Sequence, residues 1–399
     1  MSRRVLGPIV LIGAIGWAGL IWLGVQLYTS DPPTAGFDLE LLLRAGRDVA
    51  AGHSPYDPAM VAGAAPVAER LFYSYPPVVA QVMAIFAAIP SPVMFVAWTA
   101  AAVGGLGLVA RSLAIRFGSF VSPNVFATVV IAAVPLMFPF AIGLLFGNLD
   151  VFFPLAFGLV LLGVLSPTST GTAASSGAAT GLASVAKLHP ASVALWLLAR
   201  SPSAPDARRM VVAAIVVVLG VVGLSVAVGG IQPWLDYASV VRAGSGADLV
   251  DARNAGPAAQ LALTFGGGGA GAEALARTLQ IPVTILALVA TVAVALRMRE
   301  PAESLAWAVA LSLIVLPVTW YHYPSALIPF AIAALLRSRQ GGQVASRVRW
   351  TIAAAALVAA VAIEWLPLIY VAIGLVLVAV RMSGHSGARL AGPPSRGTG

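Results

Sequence analysis

The chain has 399 residues, 59% of them hydrophobic and 10% charged, with a mean hydropathy of +0.94. Soluble domains are about 45–50% apolar, so this composition is that of an integral membrane protein; the absence of cysteine rules out disulfides, thiolate metal sites and a cysteine nucleophile. The net charge of +8 is nearly all arginine, with Lys187 the only lysine, and the arginines stand singly or in pairs between apolar runs. That dispersal suits topology determinants and not a nucleic-acid surface, which gathers its cations on one face.

The first apolar run, 5–28, follows Arg3 and Arg4. It is longer than the apolar core of a secretory signal peptide, and reads as an uncleaved first helix with its N-terminus in the cytoplasm. The first outer loop, 29–72, then holds a polar island at 36–58 with Asp38, Glu40, Arg44, Arg47, Asp48, His53 and Asp57. Leu39, Leu42, Leu43, Gly46, Val49 and Ala50 recur at i, i+3, i+4 spacing. This predicts an amphipathic helix along the membrane surface, stopped at Gly52. Asp38, at its start, is placed either to cap the helix or to look into the cavity that the spans enclose.

A spanning helix needs about 20 apolar residues, and that ruler gives roughly 10–12 spans. They fall near 5–28, 78–89, 93–110, 125–146, 151–165, 182–199, 211–228, 281–296, 305–318, 324–336, 352–363 and 366–380. Counting from a cytoplasmic N-terminus puts Arg200, Arg208, Arg209, Arg297, Arg299, the run 337–349 and the tail arginines Arg381 and Arg389 inside, as the positive-inside rule asks. Arg111 and Arg116 fall outside on the same count. The small-residue stretch 166–179 reads as an outer loop, 229–280 as a second long outer loop with a flexible Gly266–Gly269 joint, and 383–399 as a disordered cytoplasmic tail beyond the multi-span domain 1–382.

Polar groups in or beside spans are costly and are functional candidates. Tyr73, Tyr75, Pro76 and Pro77 enter the second predicted span, either as an interfacial aromatic belt or as a platform for a sugar or isoprenoid chain. Lys187, followed by His189 and Pro190, either snorkels or meets an anionic headgroup. Trp320, Tyr321, His322 and Tyr323 mark another outer boundary, where His322 is an anchor's neighbour or a donor to phosphate or sugar. Asn148 and Asp150 interrupt two apolar runs, and Asp150 reads as a helix cap. His53, His189, His322 and His385 show no metal-ligand spacing, and no nucleophile elbow, P-loop or dinucleotide fingerprint is present.

In order, Asp38, Gly46, Gly52, Pro55, Tyr56 and Asp57, then Tyr73, Tyr75, Pro76 and Pro77, then Gly147, Asn148 and Asp150, then Lys187 and Pro190, and lastly a partly kept motif over 316–323 resemble glycosyltransferase family 87. The resemblance implies an all-α polytopic fold of GT-C type and a membrane enzyme that inverts the anomeric carbon of a sugar carried on a polyprenyl phosphate. It further implies action on the outer face of the plasma membrane, with polyprenyl-phosphate-mannose as donor substrate and a glycolipid of phosphatidylinositol mannoside or lipomannan type as acceptor. Asp38 is then the general base, with Lys187 and His322 on the donor phosphate. Tyr56, Tyr73, Tyr75, Trp320 and Tyr323 hold sugar or lipid, and the loop at Arg253 and Asn254 faces the acceptor. Arabinose as the sugar remains open, as does the oligomeric state. A transporter or lipid flippase is the rival class; it predicts charges paired across the membrane midplane and repeat symmetry, neither of which stands out. The Ala/Arg-rich, Lys-poor composition suits a GC-rich bacterium such as an actinobacterium.

Overall fold

The computed structural model describes residues 3–65, 71–119, 121–166, 170–202, 204–298 and 300–338, and every regular element among them is helical. The predicted spans 352–363 and 366–380 and the tail lie outside the described residues. Helices α1 (Arg3–Tyr28), α2 (Phe37–Ala50), α3 (Pro58–Val61), α4 (Pro77–Ala84) and α5 (Ser91–Phe117) open the chain. They are followed by α6 (Pro123–Ala132), α7 (Phe138–Phe146), α8 (Phe153–Leu165), α9 (Thr170–Ala186) and α10 (Ala191–Arg200). The rest are α11 (Pro205–Gly229), α12 (Gln232–Gly244), α13 (Pro257–Phe265), α14 (Gly269–Arg297), α15 (Pro301–Ser312) and α16 (Ile328–Ser338).

Among the described residues, four helices are long and apolar enough to cross a membrane unbroken: α1 over Leu6–Tyr28, α5, α11 and α14. Each presents apolar side chains outwards, as lipid-exposed helices require, with Trp22, Val96, Leu219 and Leu286 all exposed, although α5 also buries one face in the bundle. The helices between them are shorter and sheathed by neighbours. Proline accounts for several breaks, because it lacks an N–H and clashes with the preceding turn. Pro135 and Pro139 divide α6 from α7 through the 3-10 turn Val134–Leu136, and Pro190 separates α9 from α10.

Contacts fix the direction of each pass. The Trp17 indole donates to the Ile131 carbonyl at 3.0 Å, and the Gly36 amide to that of Leu145 at 2.7 Å, so α1 and the α6–α7 pair run the same way. Ser91, opening α5, donates to Glu40 of α2 at 2.6 Å; Arg116, closing it, reaches the Leu165 carbonyl at the end of α8 at 2.7 Å. Arg200 bonds the carbonyls of Ala295 and Met298, and Arg337 pairs with Glu300 at 2.9 Å and lies over the Phe117 ring. The bundle thus has two ends. One carries α2 and the breaks at 147–150, 187–190 and 313–322; the other gathers Arg116, Arg200 and Arg337.

Three expectations are corrected. The stretch 78–89 is no span: α4 is eight residues long, too short to cross, and packs beside α2. Within the predicted loop 166–179, residues 170–179 are helical and belong to α9, and the predicted span 182–199 is split by the turn after Ala186. Low hydropathy hid α9, whose small residues let two backbones meet: a Cβ on Gly177 would stand 2.2 Å from the Met210 carbonyl oxygen of α11. One span lost and one gained leave every later crossing as counted, while Arg111 and Arg116, at the far end of α5, join the other arginines. The second long loop also folds into α12, α13 and the first turns of α14, joined at Gly266–Gly269.

The predicted amphipathic helix is α2. Leu39, Leu42 and Leu43 are buried against the bundle, each contributing about 1.5–3 kcal/mol relative to exposure, and Arg44 points out to water. Gly52 ends the turn beyond it at φ 79°. The apolar face seats on protein, which fixes the first turn and hence Asp38.

Candidate active site

Asp38 does not cap its helix. The N-cap position is Gly36, and no side chain caps that end. The Asp38 carboxylate instead accepts a hydrogen bond from the Asn148 amide at 2.7 Å, across 110 positions of sequence. The half-buried carboxyl is surrounded by protein, and that burial raises its pKa above the usual carboxylate value. His322, the Asn148 bond and Lys187 oppose the rise, and Asp150 adds to it, so all three ionisable groups are close enough to be felt.

Asn148 stands where α7 ends. Gly147 takes φ 68°, a left-handed turn in which a Cβ would lie 2.6 Å from that of Leu39. The chain then enters the 3-10 turn Leu149–Phe152, whose start Asn148 caps by accepting from the Asp150 amide at 2.8 Å. This orients Asp150 inwards. Its carboxylate, with the side chain only 1% exposed, takes the Lys187 ammonium on both oxygens at 2.8 and 2.9 Å. His322 Nε2 lies 3.1 Å from the same carboxylate. Its Nδ1 has no hydrogen-bond partner among the described residues.

Aromatic rings wall this group. Lys187 Nζ sits 4.1 Å from the centre of the Tyr323 ring and 5.9 Å from that of Tyr75. His189 stacks on Tyr323 with centroids 5.4 Å apart, and Phe146 carries both Phe37, beside Asp38, and Tyr321. Five sequence-predicted residues therefore meet: Asp38, Lys187, His322, Tyr75 and Tyr323. The arrangement offers a carboxylate with a raised proton affinity beside a largely buried cation and an imidazole whose Nδ1 is open to a further partner. Such a set can take a proton on one side and stabilise an anion on the other.

The other predicted residues lie further out. Tyr56 and Tyr73 are buried, and their hydroxyls are spent on the carbonyls of Tyr75 and Pro76 at 2.9 and 3.1 Å. With Tyr237 they tie the first loop to α12, and only Tyr75 of the three reaches the Lys187 cluster. Asn254 is fully buried. Its amide nitrogen donates to the carbonyls of Asp248, Leu249 and Pro317, and its oxygen accepts from the Gly256 and Thr319 amides. It pins the second loop to the segment that carries His322. Arg253 is exposed, lies 5.5 Å over the Trp320 ring and chelates Asp251 at 2.9 and 2.5 Å, which holds that carboxyl below its usual range.

Residues 73–320 match the family model of glycosyltransferase family 87. The chain belongs to glycosyltransferase family 87. It is a membrane glycosyltransferase, and the matched region runs from Tyr73 through the Asp150 turn and Lys187 to Trp320. No curated protein matches the sequence. Asn148 and Asp150 are the site residues that sequence reasoning underrated. The signal was there, as two polar residues in a four-residue gap between apolar runs, but a helix cap explained them equally well.

Proposed function

We propose that this chain moves a mannosyl residue from polyprenyl-phosphate-mannose to a lipid-linked glycan of phosphatidylinositol mannoside or lipomannan type, with inversion, on the outer face of the plasma membrane. The observation that carries the reading is the Asp38 carboxylate, held by Asn148 within electrostatic reach of Lys187 and His322. The acceptor hydroxyl oxygen attacks the anomeric carbon from the face opposite the phosphate. Asp38 takes the hydroxyl proton as the new C–O bond forms. The bond from the anomeric carbon to the phosphate oxygen breaks, and its electron pair leaves on polyprenyl phosphate. Lys187 and His322 stabilise the charge gathering there. A base at Asp38 and an anion clamp opposite it are what an inverting displacement needs.

The rings of Tyr75 and Tyr323 offer faces to the sugar or the first isoprene units, and Arg253 with Trp320 stands where an acceptor enters. Arginines gathered at the opposite end of the bundle support placing that end in the cytoplasm and the site outside. The test is transfer by purified protein in lipid, with labelled polyprenyl-phosphate-mannose and polyprenyl-phosphate-arabinose offered separately to glycolipid acceptors. Label moving from the mannose donor and not the arabinose donor supports the reading. Transfer from arabinose alone replaces the sugar, and transfer from neither overturns the proposal.

A further inference from the structure

We propose that Asp150 is a positioning residue: it fixes the Lys187 ammonium and the His322 imidazole as one phosphate clamp, and acts on the substrate only through them. This rests on the reading of the site as one that receives a polyprenyl phosphate. Lys187 comes from the turn after α9 and His322 from the segment before α16; the Tyr323 ring touches both, and among the described residues Asp150 is the carboxylate that meets both, at 2.8 and 3.1 Å. The Asp150 turn is itself set by Asn148, which also holds Asp38. One short turn therefore indexes the base, the ammonium and the imidazole to each other. An ammonium carries three N–H donors. Two are met by the Asp150 oxygens; the third has only neutral Tyr323 beside it, 4.1 Å from the ring centre, and can turn to a phosphate oxygen without breaking the pair. Buried His322 points the same way: its Nε2 faces Asp150 at 3.1 Å, while its Nδ1 has no hydrogen-bond partner among the described residues, and buried polar groups are ordinarily satisfied. A phosphate will not touch Asp150 directly, since like charges repel.

A simple counter-ion is the competing account, and the two differ in sign. Removing a competing anion strengthens phosphate binding. Removing an anchor weakens it, because the freed ammonium can swing away or shed its proton in a buried setting. The experiment uses the full chain in lipid nanodiscs and compares binding of polyprenyl phosphate with binding of polyprenol, for wild type, Asp150→Asn and Asp150→Glu. Wild type is expected to prefer the phosphate. Asp150→Glu keeps the charge and displaces it by a methylene, and Asp150→Asn keeps the shape and drops the charge. Each is expected to lose at least tenfold of the preference while binding polyprenol within twofold of wild type. If one variant fails to fold, the other decides. Preference unchanged or strengthened in the folded variants overturns the inference, as does a wild type without preference. A wild type that prefers the phosphate but transfers no sugar from any polyprenyl donor defeats the transferase reading alone.

Discussion

Asp38 carries the most consequential side chain, and its environment makes two outcomes measurable. Burial raises its pKa, so the folded protein binds this proton more tightly than the unfolded chain does. As a base it works only when ionised. Activity should therefore fall on acidification with a midpoint above the ordinary carboxylate value of about 4; a pH profile of kcat reads this directly, and a midpoint at or below that value contradicts it. The same shift has a sign for stability. Below the unfolded pKa the buried group is protonated in both states and costs nothing; as pH rises through the folded pKa, its ionisation is paid in stability. Asp38→Asn removes that cost and can still accept from Asn148. Its Tm at neutral pH should equal or exceed that of wild type, and a fall of several degrees would make Asp38 a structural residue. Sequence brought Asp38, Lys187 and His322 forward because charge beside apolar spans is conspicuous. It could not say that Tyr56, Tyr73 and Asn254 spend their polar atoms on backbone carbonyls and amides, since those partners lie up to 65 positions away.

Among elements, the contact between α2 and the 147–150 turn matters most, because it sets Asp38 against Asn148. Gly147 adopts a left-handed φ of 68° and faces Leu39 at a distance no Cβ tolerates, whereas Gly52, also left-handed at φ 79°, opens onto free space. Left-handed backbone alone costs an L-residue about 1–2 kcal/mol. Gly52→Ala should thus lose about that much stability and keep its activity. Gly147→Ala should lose more and also lower transfer at least tenfold, because the clash pushes α2 and Asp38 away. Thermal unfolding and transfer assays on the pair check this, and equal behaviour of the two would mean that the α2 seat does not govern the site. The amphipathic period of α2 was readable because its buried leucines alternate with charges. Helix α9 was not, since Ala, Gly, Ser and Thr look like a loop by hydropathy, and only the close fit to α11 shows why small residues are needed there. Helix α4 misled in the opposite sense, being apolar because it is buried by α2 and not because it spans.

Across the bundle, the sequence supports an all-α membrane protein by composition alone, and the order of its motifs already pointed to the family that the match over residues 73–320 establishes. The direction of each pass was legible only in part, because two errors of span assignment cancelled from α10 onward and left Arg111 and Arg116 stranded on the wrong side. With no native cysteine, single-cysteine labelling gives a clean test of sidedness. Cysteine in His53→Cys, just beyond the far end of α2, should react with a membrane-impermeant maleimide from outside intact cells, and cysteine in Asn124→Cys, beside Arg111, should react only after permeabilisation. The reverse pattern would place the site in the cytoplasm. The measurement that bears most directly on the account is transfer of labelled mannose from polyprenyl-phosphate-mannose to glycolipid acceptors by wild type and Asp38→Asn side by side in lipid. A general base contributes about 10²–10⁴ in rate. The account predicts a loss of that size in the variant, with the fold and donor binding intact; equal transfer by both proteins would contradict it.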